Sequence, residues 1–92
     1  MKTEGITQLI NKTITGVVVK RRNVDRPGLA SQVFLVFSDD TCYEIYTLGE
    51  DIQLTNGPEP GGIKKAREYM SDSMETIFEV FQDGEGKLTT TK

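Results

Sequence analysis

The sequence predicts an α+β fold: an antiparallel sheet of three to four strands packed against a C-terminal helix, with a short helix at the N-terminus. Three observations lead there. Residues 32–48 hold two apolar runs, Val33 to Phe37 and Cys42 to Tyr46, separated by Asp39-Asp40, which is the pattern of a β-hairpin. Residues 13–21 are β-branched almost throughout and read as a further strand. From Ile63 the apolar period changes, with Ile63, Ala66, Met70, Met74, Ile77, Phe78 and Phe81 falling on one helical stripe.

The elements follow in order. Ile6, Leu9 and Ile10 stand at i, i+3, i+4 and give a short helix one apolar side, with Thr3 as its cap. In the strand over 13–21, Gly16 marks a bulge or the close approach of another backbone. Asp25-Arg-Pro-Gly28 makes 23–30 a loop. With Asp39-Asp40 as a two-residue turn, or with a four-residue loop over 38–41, opposed hairpin residues have numbers summing to 79, so that Phe34 faces Ile45 and Leu35 faces Glu44. Phe34, Val36, Tyr43 and Ile45 then share one face, and Val33, Leu35, Phe37, Cys42 and Tyr46 the other. Both faces are apolar, so both need covering.

After the hairpin, Ile52 and Leu54 alternate in a short edge strand, and Asn56 to Gly62, with two prolines and three glycines, forms a loop. The helix then runs to the stop signal Asp83-Gly84. A competing reading ends it near Ser71 and makes 74–82 a last strand, since Thr76 to Phe81 is rich in strand formers. The continuous helix is preferred because its stripe survives the proposed break. Residues 85–92, with only Leu88 as an apolar anchor, read as a frayed tail, or as a partner strand if 74–82 is extended. The chain 1–92 is a single domain.

Composition narrows the function classes. No apolar run approaches the length of a membrane-spanning helix, and the N-terminal residues lack the apolar core of a secretory signal, so a cytoplasmic protein with no membrane association is expected. Cys42 cannot form a disulfide within its own chain and reads as a small buried side chain. The net charge of −3 conceals an asymmetry: residues 1–38 carry six Lys or Arg against two acids, and 39–92 carry five against twelve. Lys20, Arg21, Arg22 and Arg26 concentrate the basic excess and are a candidate anion or partner contact, together with Lys64 and Lys65 beside Gly61-Gly62 at the helix start. The competing reading makes them solvated charges that protect a strand edge. A sequence pI near 4.9 disfavours nucleic acid.

Candidate chemistry is sparse. The chain has no histidine, which removes the commonest general base and the commonest neutral metal ligand. No catalytic residue, metal site or cofactor is expected. Gly57 to Lys64 resembles a phosphate loop only superficially, because Ile63 stands where the lysine belongs. Glu44 is a carboxylate on an otherwise apolar face, and with Tyr43 and Tyr46 it is the candidate pocket; burial there requires a partner such as Arg21 or a shifted pKa. The expected function is therefore a small non-catalytic binding or regulatory module, self-associating as a homodimer or docking another protein. The alternatives are an enzyme or ligand pocket at Tyr43, Glu44 and Tyr46, and anion or nucleic-acid binding through the basic cluster.

Overall fold

The computed structural model describes residues 5–22, 29–71, 74–82 and 86–91, without the side chains of residues 29, 30 and 91. Among these residues seven strands form one antiparallel sheet: β1 (Ile14–Arg22), β2 (Leu29–Phe37), β3 (Thr41–Leu48), β4 (Asp51–Leu54), β5 (Glu59–Pro60), β6 (Met74–Gln82) and β7 (Leu88–Thr91). Their order across the sheet is β4-β3-β2-β1-β6-β7, with β5 also beside β3. One short helix, α1 (Gly62–Glu68), lies over β1, β2 and β3. The expected sheet of three to four strands against a long C-terminal helix is thus replaced by a nearly all-β architecture.

The largest correction concerns 74–82. Met74, Ile77, Phe78 and Phe81 fit a helical stripe, but Phe78 and Val80 also alternate with Glu79 and Phe81, and the second period is the one realised. β1 supplies the reason. It pairs with β2 through one edge and with β6 through the other, so a helical 74–82 would leave the second edge of a Val-rich strand unpaired. Residues 88–91, expected in a frayed tail, pair with β6 as the strand reading requires. The N-terminal helix is reduced to a single 3₁₀ turn over Ile6–Leu9 with no buried residue. The Thr3 cap, the Pro27-Gly28 loop and the Asp83-Gly84 stop lie outside the described residues.

The hairpin register differs by one residue from expectation. Val33 faces Ile45, Phe34 faces Glu44, Leu35 faces Tyr43 and Val36 faces Cys42, so opposed numbers sum to 78. The turn is a three-residue loop, Ser38 to Asp40, whose last residue takes the left-handed conformation at φ 65° and donates its N–H to the Phe37 carbonyl at 3.2 Å. The Asp39 carboxylate accepts from the Thr41 N–H at 3.2 Å and holds the bend. Because side chains alternate along a strand, one extra loop residue exchanges the two faces of β3 relative to β2. Cys42 and Glu44 therefore join Phe34 and Val36, while Tyr43 and Ile45 join Val33 and Leu35.

The core lies on the helix side. Val18, Phe34, Val36, Cys42 and Ala66 form the buried cluster, with Ile63 and Tyr69 packed against it. Phe34 and Tyr69 meet edge to face at 5.6 Å between ring centroids. Gly16 borders a β1 irregularity, and a side-chain carbon there would stand 3.2 Å from the Val80 backbone carbonyl and 2.9 Å from Cβ of Phe81, which is the close backbone approach anticipated for this glycine.

Candidate functional site

Two ladder rows run across the side of the sheet away from α1. The strand pairings place Leu54, Ile45, Val33, Val19 and Phe78 in one line across five strands, and Tyr43, Leu35, Val17 and Val80 in the line beside it. Alternation turns all of them to the same face. No charge interrupts either row. The helix-side residues Val18, Phe34 and Val36 are at most 5% exposed, whereas Val17, Val19, Val33, Leu35, Ile45, Phe78 and Val80 are only half-buried. Ile52 and Leu88, near opposite edges of this face, are each 68% exposed.

The face is closed only near the β2–β3 turn. Phe37 and Tyr43 are buried although their same-face neighbours are not. The N-terminal segment reaches that end, with the Lys12 ammonium 5.5 Å above the Phe37 ring and bonded to the Asp39 carboxylate, while Gly5 lies against the backbone of Asn56 and Gly57. The Tyr43 hydroxyl donates to the Thr55 carbonyl at 2.7 Å. Elsewhere the face is shallow, with a depression of about 190 Å³ between Ile14, Val17, Val80 and Leu88.

A second grouping lies under the C-terminal end of α1. Lys20 is 1% exposed, and its ammonium donates to the carbonyls of Arg67 at 2.9 Å and Tyr69 at 2.5 Å, capping the helix end. Opposite it in the sheet, fully buried Gln32 donates Nε2 to Glu44 at 2.5 Å, and among the described residues its Oε1 has no hydrogen-bond partner. Burial pushes the Glu44 carboxyl above its ordinary pKa, the Gln32 amide and Lys20 offsetting part of the effect. Burial likewise lowers Lys20. The charge of Glu44 raises the Tyr69 phenol, and burial raises the Cys42 thiol and keeps it protonated. The space among Cys42, Glu44, Thr55 and Tyr69 is about 10 Å³, no larger than a single water needs. This cluster fastens the helix to the sheet.

The residues singled out in the sequence are dispersed. Glu44 and Tyr46 lie on the helix side and Tyr43 on the other, so the three do not line one pocket. Glu44 is partnered by Gln32 rather than Arg21, whose guanidinium lies 3.4 Å from Glu75. Lys20 is buried under the helix, Lys65 pairs with Glu59 at 3.2 Å, and Lys64 is exposed. Arg22 also has an interaction partner, and Arg26 lies outside the described residues. At the helix start the Asp40 carboxylate lies against Gly62, where a side-chain carbon would stand 2.6 Å from its Oδ1. Arg67 and Glu79, not anticipated as a pair, make two hydrogen bonds at 2.8 and 2.5 Å, with the guanidinium 4.8 Å from the Phe81 ring centroid.

Among the described residues no group of three or more Cys, Asp and Glu side chains is placed to hold a metal ion, and no helix is long and apolar enough to cross a membrane. Comparison with known protein families, curated proteins and solved structures finds no match.

Proposed function

We propose that the chain is a non-catalytic binding module whose working surface is the open apolar face, and that its ligand is a protein. The observation that carries this reading is the uninterrupted line Leu54, Ile45, Val33, Val19 and Phe78, which crosses five strands and is left partly exposed. Contiguous apolar surface of this kind costs free energy in water and is ordinarily covered by a partner. The helix side is filled by its own core, so the asymmetry between the two faces singles out one of them.

A hydrophobic fluorescent dye tests the reading in dilute protein. Wild type is expected to bind it, Val33→Lys to lose most of the signal, and Lys64→Ala, on the exposed side of α1, to keep it. Absence of dye binding at every concentration in a protein that sediments as a single chain overturns the reading.

A further inference from the structure

We infer that the occupant of the open face is a second copy of this chain, the two sheets packing face to face in a symmetric β-sandwich. The inference rests on the binding-face reading above and names its partner. Shape is the first argument. The molecule measures 40 × 32 × 18 Å, and beyond the end where the N-terminal segment covers Phe37 and Tyr43 its open side holds a depression at Leu88 and, among the described residues, no deep groove. An inserted helix or extended peptide needs a groove, whereas a flat aliphatic sheet face is complementary to another such face, with sheets about 10 Å apart.

Size is the second. Strands about 4.8 Å apart and same-face residues about 7 Å apart spread the apolar rows over roughly 20 × 15 Å. Ile14, Ile52 and Leu88 extend them outward, each more than half exposed. With the polar side chains around them, the 40 × 32 Å slab accommodates the ~800 Å² that each partner contributes to a standard interface.

Charge is the third. A copy carrying net charge −3 is repelled by its twin unless the meeting surfaces are neutral. The central rows carry no charge, and the adjoining row carries Arg21 beside Glu75, one of each sign. A two-fold axis through this face therefore sets no block of like charge against itself.

Sedimentation equilibrium of the full chain over nanomolar to micromolar concentrations tests the inference. Wild type is expected at twice the 10.3 kDa chain mass in the upper range. Leu35→Lys should weaken association by roughly 100-fold or more, and the nearly isosteric Val19→Thr, which keeps strand propensity, by about tenfold. Dye binding by wild type should fall as concentration rises through the association midpoint, a readout independent of any variant. A wild type that stays at the single-chain mass yet binds the dye throughout overturns the second copy while leaving the binding face intact, its occupant then being a different protein. A dimer untouched by Val19→Thr and by a folded Leu35→Lys also overturns it, since the copies then meet elsewhere.

Discussion

The Lys20 ammonium donates to the Tyr69 carbonyl at 2.5 Å from a position 1% exposed, so that β1 caps the end of α1 from beneath. The four last carbonyls of a helix lack partners within it, and Lys20 takes up Arg67 as well as Tyr69. Lys20→Met keeps the apolar stem and removes these donors. Leaving buried carbonyls unsatisfied should cost about 1–3 kcal/mol, read as a lower urea midpoint at unchanged m-value. A midpoint equal to wild type would mean that water reaches the helix end.

Opposite pH dependences are expected from the two partly buried glutamates. Burial raises Glu44 in the folded state, so its stabilising contribution is complete below the unfolded pKa and is lost as pH rises through the folded one. Hydrogen bonding from Arg67 lowers Glu79, whose contribution is present above the unfolded pKa and is lost as pH falls through the folded one. Above the ordinary glutamate value of about 4.3, Glu44→Gln should therefore gain stability relative to wild type as pH rises, whereas below it wild type should lose its advantage over Glu79→Gln as pH falls. Parallel slopes in chemical denaturation would contradict the environments described for both.

Core truncations should separate the two faces. Phe34→Ala removes a ring that is 2% exposed and packed on Tyr69, and should cost about 3–5 kcal/mol. Ile45→Ala, on the open face, should cost less than about 2 kcal/mol in dilute protein, because its side chain is only half-buried there. Equal losses at both positions would place Ile45 in the same core as Phe34, as the register with numbers summing to 79 requires.

At Gly16 a side-chain carbon would stand 2.9 Å from Cβ of Phe81 and 3.2 Å from the Val80 carbonyl. Gly16→Ala should force β6 away from β1 and cost about 1–3 kcal/mol, with amide exchange in β6 and β7 accelerated more than in β3. Uniform exchange across the sheet would show that the β1–β6 pairing is not the point of strain.

The strands over 14–22, 41–48 and 51–54 were legible because β-branched and aromatic residues alternate there between turn signals. The face assignment was not, because Asp39-Asp40 suits a two-residue turn as well as a three-residue loop, and only the left-handed Asp40 decides between them. Nor was β6 resolved from sequence, since 74, 77, 78 and 81 satisfy a helical stripe while 78, 79, 80 and 81 satisfy strand alternation; pairing with β1 settles the choice through contacts distant in sequence. Lys20 reads as a strand-end charge because nothing local to it announces the helix-end carbonyls that lie 47 and 49 positions further along the chain. Val17 and Val19 were visible as alternating residues of the first strand, but the face they belong to needed Phe78 and Val80 beside them.

The central claim is that Val19, Val33, Leu35 and Ile45 form one surface that meets its own copy. Isotope-filtered NOE spectroscopy on an equimolar mixture of labelled and unlabelled wild-type chains tests it most directly, because only contacts between different chains survive the filter. Intermolecular NOEs from the methyl groups of these four residues are expected, with none from Val18, Val36 or Ala66. Intermolecular NOEs from the helix side or from β7 instead, or none from these four residues in the upper concentration range where the dimer is expected, would contradict it.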